Sequence, residues 1–315
     1  MSSWLAAPLF LASVAVTLGA AGLFADRLDH IGPRLGLPES LTGLLTAFAA
    51  DAPEISSALI ALAQGRKGVS LGVVVGSNVF NLAAMIGASA LATGAVRLGR
   101  RALIVEGAVA VGTLLIVVAL LSGAIPAAAS LVGFGAVLVP YAVYLTRSRA
   151  ELSHALGPRA EHPDEAALWR GSALALLAVA LIVLASFGMV GFALDLAHGW
   201  GVPEALVGLL VLAIVTSLPN SFTAIRLGLA GRGAALVSET LNSNTINLLG
   251  GVILPALVIG AGGLAGGTGL ELGWLVAMTS LAVALLGRRR GMGRPGGAAL
   301  VLCYVAFVAV QLVRR

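Results

Sequence analysis

The chain has 315 residues, 59% of them hydrophobic and only 10% charged, against about 25% charged in an ordinary soluble domain. A mean hydropathy of +1.02 excludes such a domain, and the scatter of the +5 net charge over short clusters excludes a nucleic-acid-binding surface. The one cysteine, Cys303, excludes a disulfide within the chain and a Cys/His metal cluster.

In chain order, apolar stretches long enough to cross a bilayer as helix are predicted at 4–24, 39–64, 70–95, 102–122, 125–146, 170–194, 202–229, 234–262, 268–287 and 297–313. The first lacks a basic leader and is longer than the apolar core of a signal peptide, so it reads as a transmembrane helix. The third and eighth are long and interrupted by glycine, which predicts a bend in each. Between the fifth and sixth lies the only long polar segment, with Arg147, Arg149, Glu151, His154, Arg159, Glu161, His162, Asp164 and Glu165. The organisation expected is a first five-helix repeat (1–146), a linker (147–168) and a second five-helix repeat (169–315), together one all-α polytopic membrane domain. Threading ten spans puts fifteen Lys and Arg residues on the linker side and four on the other. By the positive-inside rule the linker side is cytoplasmic and both termini face out.

The two halves repeat one pattern. Leu37-Pro-Glu-Ser-Leu-Thr-Gly-Leu-Leu, Asp51-Ala-Pro-Glu54 and Gly76-Ser-Asn-Val-Phe-Asn81 return as Val202-Pro-Glu-Ala-Leu-Val-Gly-Leu-Leu, Ser217-Leu-Pro-Asn220 and Asn242-Ser-Asn-Thr-Ile-Asn247. Pro53 to Pro219, Ser77 to Ser243 and Asn81 to Asn247 are each 166 positions apart, whereas the openings are 165 apart. Five is odd, so each half starts on the opposite side of the membrane. The repeats are therefore predicted to be inverted, with equivalent broken helices meeting near the midplane, where transporters of this build bind their substrates.

Of fourteen carboxylates, ten lie near predicted span ends or in loops and four fall well inside spans: Asp51, Glu54, Glu106 and Glu239. Each is costly in hydrocarbon and needs a partner or a function. Asp51 and Glu54 share one helix face, and Pro53 between them frees carbonyl oxygens in the preceding turn. Two carboxylates with free carbonyls make a hard-oxygen site for a small cation. Without a cation, one of two such close anions holds a proton, so a buried protonated pair is the alternative. Ser77 with Asn81, and Ser243 with Asn247, stand one helical turn apart and offer neutral oxygens; the alternative is hydrogen bonding between helices. Thr216 and Ser217 add hydroxyls, and Asn220 stands where Glu54 stands in the first copy. Glu239, a turn before Ser243, either feeds ions to the site or pairs with Arg226 or Arg232. Glu106 reads as half of an interfacial salt bridge near Arg101.

These motifs resemble those of the sodium/calcium exchanger family, within the cation/calcium exchanger superfamily. In that family each inverted repeat has a Gly-Thr-Ser-x-Pro-Glu/Asp segment and a Gly-Ser-Asn-x-x-Asn/Asp segment. The resemblance implies that Glu54 is a shared calcium and sodium ligand. It further implies oxygen ligands at Ser77, Asn81, Thr216, Ser217, Ser243 and Asn247, with backbone carbonyls from Ala47 and Ala213. It makes the first and sixth spans together the sliding element. The departures are Asn220 in place of the second acid, Asp51 in place of a serine, Ala50 in place of a threonine, and Glu239 in place of an asparagine. Site charge is kept but moves into one repeat, and Asp51, Asn220 and Glu239 complete the candidate ligand set.

The function implied is secondary antiport of calcium against sodium by alternating access, in a prokaryotic inner membrane. Lipid and inorganic cations are the partners; no cofactor, nucleic acid or obligatory protein partner is expected. Exchange of calcium, magnesium or manganese against protons is the nearest rival, and a cation channel the rival of another class. An enzyme is not expected, because an intramembrane hydrolase needs a nucleophile–base pair or aspartates on separate helices.

Overall fold

Long runs of Ala, Leu, Val and Ile leave the backbone one way to satisfy its own polar groups in an apolar surrounding, and that is the helix. The computed structural model describes residues 3–34, 48–153, 165–260 and 269–314. Nearly all of these are helical. The helices are α1 (Ser3–Arg34), α2 (Ala52–Ala63), α3 (Lys67–Asn81), α4 (Ala88–Thr93), α5 (Arg100–Leu121), α6 (Ala127–Ser153), α7 (Glu165–Trp200), α8 (Glu204–Leu206), α9 (Ala213–Leu229), α10 (Gly233–Leu248), α11 (Leu254–Ile259), α12 (Gly269–Leu286) and α13 (Arg294–Val313). A two-residue ribbon pairs Ala95–Val96 antiparallel with Met292–Gly293.

Eight helical runs are long and apolar enough to cross a membrane, and two shorter apolar helices, Ala52–Ala63 and Ala127–Val143, accompany them. Every described helix falls on a predicted span. α1 and α7 extend beyond their predicted ends, to Arg34 and back to Glu165. The Leu37 motif, Ala47 and residues 154–164 of the linker lie outside the described residues.

The bends predicted in the third and eighth spans take the form of π-helical stretches. Leu82–Gly87 joins α3 to α4, and Leu249–Ile253 joins α10 to α11. Each follows the last asparagine of its copy's motif, Asn81 directly and Asn247 after one residue. A third π-helical stretch, Val207–Leu212, joins α8 to α9. π-helical turns of this kind mark functional sites more often than chance.

The two copies also end their helices alike. Gly65, at φ +76°, and Gly231, at φ +73°, take the left-handed conformation that an L side chain resists. Around Gly65 the N–H of Arg66 bonds to Ala61 O at 2.8 Å and that of Gly65 to Leu62 O at 2.9 Å. Around Gly231 the bonds from Arg232 to Leu227 and from Gly231 to Gly228 have the same two lengths, 2.8 and 2.9 Å. Both corners are Schellman closures, which satisfy carbonyls left over at a helix end.

The Pro motifs behave differently in the two copies. Residues 48–50 are helical, Asp51 interrupts them, and α2 restarts at Ala52 with Pro53 in its first turn. In the second copy Pro219 lies inside the continuous helix α9. The break expected at both prolines is therefore found at the first alone, and the irregular backbone of the second lies earlier, in Val207–Leu212.

α1 and α7 pack along each other and present exposed apolar side chains such as Leu11, Leu176 and Leu184. At the centre, the run Lys67–Thr93 is the most deeply buried of the eight. It crosses Val207–Leu212 with backbone against backbone. A Cβ on Gly72 would lie 2.9 Å from both Ala205 O and Leu209 N, one on Gly76 would strike Leu209 O, and one on Gly208 would strike Val69 O. Small residues permit this approach where lipid gives no hydrophobic drive between helices. Gly76→Ala is thus expected to cost about 1–3 kcal/mol, the range for overpacking a filled interior, seen as a lower thermal unfolding midpoint in detergent. Gly19→Ala, at a position with nothing within 4 Å, should leave the midpoint unchanged.

Candidate functional site

The break at Asp51 places two carboxylates at the N-terminus of α2, where free backbone N–H groups carry partial positive charge. Asp51 occupies the cap position and Glu54 the first turn, and each is 1% exposed. The partners that reach them come from the second copy. The Ser217 hydroxyl on α9 donates to Glu54 Oε1 at 2.9 Å. Asp51 Oδ1 accepts from Asn220 Nδ2 at 2.7 Å and from the Ser243 hydroxyl on α10 at 2.6 Å. Asn81 on α3 extends the network, donating to Ser243 Oγ at 3.3 Å and to Asn244 Oδ1 at 3.1 Å.

Between the repeated Ser-Asn motifs lies a reciprocal clasp. Asn78 Nδ2 donates to the backbone carbonyl of Asn244 at 3.1 Å, and Asn244 Nδ2 donates to that of Asn78 at 3.0 Å. The two residues are 166 positions apart, the spacing of the sequence duplication. Asn247 Nδ2 reaches Asn78 Oδ1 at 3.4 Å.

The oxygens left over carry the chemistry. Asp51 Oδ2, Glu54 Oε2, Asn81 Oδ1 and Asn247 Oδ1 are buried and have no hydrogen-bond partner among the described residues. Buried polar atoms are nearly always paired, so a set of orphans asks for an explanation. All four are acceptors, and a cation is what satisfies oxygens that no donor reaches. Among the described residues no three His, Cys, Asp or Glu side chains gather as a metal cluster. The donors on offer are two carboxylates supplemented by neutral amide and hydroxyl oxygens, a hard-oxygen set that suits Ca²⁺ or Na⁺ over transition metals.

The structure thus joins Asp51, Asn81, Asn220 and Ser243 in one hydrogen-bond network, with Asn247 tied to it through Asn78 and Asn244, and sets the Glu54–Ser217 pair beside it, within electrostatic reach of Asp51. Ser77 and Thr216 are buried nearby, but their hydroxyls bond back within their own helices, to Val74 O at 3.1 Å and to Leu212 O at 2.9 Å. Ala213 is buried at the start of α9. Glu239 is within electrostatic reach of Asp51, and the ion pairs among the described residues do not include it; Arg226 lies instead over the Phe222 ring at 5.7 Å.

Glu106 is not the interfacial ion predicted. It is 4% exposed, and its two oxygens are engaged by the hydroxyls of Ser238, at 2.7 Å, and Tyr141, at 3.0 Å. Sequence reasoning also passed over Asn78 and Asn244 as site members, although the duplicated motif contained both. Tyr141 had no signal, since it is one residue in no repeat.

With this geometry in place, three comparisons bear on the chain. The sequence model of the family described as sodium/calcium exchanger protein matches residues 5–149 and 171–313. The CaxA protein of Alkalimonas amylolytica is 26% identical over 308 residues, covering 94% of this chain and 95% of that protein. Among solved structures, the H⁺/Ca²⁺ exchanger CAX superposes with a TM-score of 0.73 at 20% identity, over 98% of this chain and 82% of that one. The sodium-calcium exchanger NCX_Mj does so with a TM-score of 0.62 at 17% identity, over 98% and 99%. Native YfkE gives 0.68 at 18% identity, over 95% and 90%. At these identities the structural likeness is one of fold.

Proposed function

The chain belongs to the sodium/calcium exchanger protein family, and from that premise we propose that it exchanges calcium for sodium by alternating access at the Asp51–Glu54 site. The observation that carries the proposal is the set of orphaned oxygens, Asp51 Oδ2, Glu54 Oε2, Asn81 Oδ1 and Asn247 Oδ1. Two carboxylates neutralise one divalent ion, or accept monovalent ions in its place. Asn220, where the family has a second acid, adds a donor and no charge. The ligand set comprises these four residues with Ser217, Asn220 and Ser243. Ser77, Thr216 and the Ala213 carbonyl are further candidate ligands, as is Ala47, which lies outside the described residues, and Glu239 is within electrostatic reach of Asp51.

The coupling is electrostatic. An empty site leaves two carboxylates without compensation at membrane depth, and that charge resists reorientation. A loaded site is close to neutral, so only loaded states cross easily, and exchange follows. α1 and α7, which pack on each other at the edge of the bundle, are the pair that slides.

The domain plan is ten spans in two inverted five-helix repeats, 1–146 and 169–315, joined by a cytoplasmic linker at 147–168, with both termini outside. The reciprocal Asn78–Asn244 clasp supports it, because equivalent residues exchange equivalent bonds across a two-fold axis. Single cysteines added at either terminus of a Cys303→Ser background are expected to react with an impermeant maleimide in intact cells. Labelling of either terminus only after the membrane is broken would overturn the orientation.

A second reading, exchange against protons, is favoured by Glu239, which gives Asp51 a further carboxylate within electrostatic reach. Two measurements decide. Titration calorimetry should show calcium binding that weakens at least about tenfold, or about 1.4 kcal/mol, in Asp51→Asn and in Glu54→Gln; unchanged affinity in both would place the site elsewhere. In everted vesicles with pH clamped, an imposed sodium gradient should drive calcium uptake. Uptake that responds only to a pH gradient would select the proton reading.

A further inference from the structure

A second polar cluster, buried at Glu106 and Tyr141 and half-buried at Ser238 and Asn242, stands apart from the Asp51–Glu54 network, and we infer that it is a proton-binding site in which Glu106 is held as a neutral carboxylic acid by a closed ring of side chains. The ring has four members from three helices. Glu106 on α5 accepts at Oε1 from the Ser238 hydroxyl, 2.7 Å away. Asn242 Nδ2 donates to Ser238 Oγ at 3.3 Å. The Tyr141 hydroxyl on α6 lies 2.9 Å from Asn242 Oδ1 and 3.0 Å from Glu106 Oε2.

The inference follows from counting hydrogens. Each of the four contacts needs one hydrogen between its two heavy atoms. Ser238 and Tyr141 bring one each. The amide of Asn242 brings one, because it turns its NH₂ toward one neighbour and its oxygen toward the other. Rotating the amide by half a turn exchanges which neighbour receives the hydrogen and leaves the total at three. The fourth has to come from Glu106. An ionised Glu106 would set two bare oxygens 2.7–3.3 Å apart in one of the contacts, on a side chain that is itself only 4% exposed. With a proton on Oε2, Glu106 donates to Tyr141, Tyr141 to Asn242, Asn242 to Ser238 and Ser238 back to Glu106. The hydrogens then run one way round the ring, and none is missing.

No cation is a member of the ring. The elements packed on α5 bring few other titratable groups among the described side chains. α6 brings Tyr141 itself. α10 brings Glu239, next to Ser238 in sequence but within reach of Asp51. α12 brings Glu271 in its first turn, Leu249–Ile253 brings none, and α5 carries Arg100 and Arg101 where it begins. The site is distinct from the exchange site in position and in chemistry, since its oxygens are bonded to one another and none is among the orphans. What it supplies is an uncharged tie between α5, α6 and α10, fastened at the residue before Ser243.

Glu106→Gln provides the test, because a glutamine amide copies the acid: its oxygen accepts from Ser238 and its N–H donates to Tyr141. The purified variant is expected to unfold at the same temperature as the parent at neutral pH. The parent-minus-variant infrared spectrum should contain the carbonyl stretch of one protonated carboxylic acid. Loss of carboxylate stretches instead would overturn the inference. Tyr141→Phe opens the ring, and it serves also if Glu106→Gln fails to fold; in it the carbonyl band should shift, and a band that stays in place would assign the proton to another group. Neither readout involves transport, so this inference and the exchange proposal fail separately.

Discussion

The cost of negative charge away from water organises this molecule. Asp51 and Glu54 are both almost completely enclosed, and a carboxylate at bilayer depth is costly by every scale. The structure meets part of that cost with fixed dipoles: the start of α2, the hydroxyls of Ser217 and Ser243, and the amide of Asn220. Each carboxylate keeps one oxygen that nothing among the described residues satisfies. Under the proposed exchange the compensating charge has to be one that leaves, which a permanent Arg or Lys partner is not.

The scaffold follows from the need to bring two distant stretches of chain around that charge. Donors on α9 and α10 reach carboxylates on α2 only if the helices between them approach closely, and the glycines of α3 and of Val207–Leu212 allow contact at the level of the backbone. Irregular backbone is confined to places buried in protein, which is where a membrane tolerates it. The π-helical stretches beside Asn81 and Asn247 redirect each helix just after its site residues.

Much of this was legible in the sequence, for a reason that can be stated. A duplicated motif is read twice, so Ser217, Asn220, Ser243 and the Asn81–Asn247 pair stood out against the apolar background, and the structure unites them with Asp51 and Glu54. Helix existence was legible because long apolar segments have one backbone solution. Orientations of single hydroxyls were not: Ser77 and Thr216 share a face with site residues but bond to their own helix, as Ser and Thr often do when no better acceptor is near. Glu106 was misread because one-dimensional distance from Arg101 suggested an interface, whereas its partners lie 35 and 132 residues away. Nor could a Pro motif say whether its helix would break: Asp51-Ala52 precede Pro53 at an interruption of the helix, and Ser217-Leu218 precede Pro219 within a continuous one.

The matched corners at Gly65 and Gly231 have a bearing on how such a chain evolves. Their hydrogen bonds agree to 0.1 Å across the duplication, while the residues of the candidate site differ between the copies, Asp51 standing opposite Ser217 and Glu54 opposite Asn220. Chain geometry and ion chemistry are thus inherited as separate modules. Single-codon changes can alter the lining of the candidate site without redrawing a turn, so one ancestral hairpin can serve a diverse lineage by exchanging only its lining.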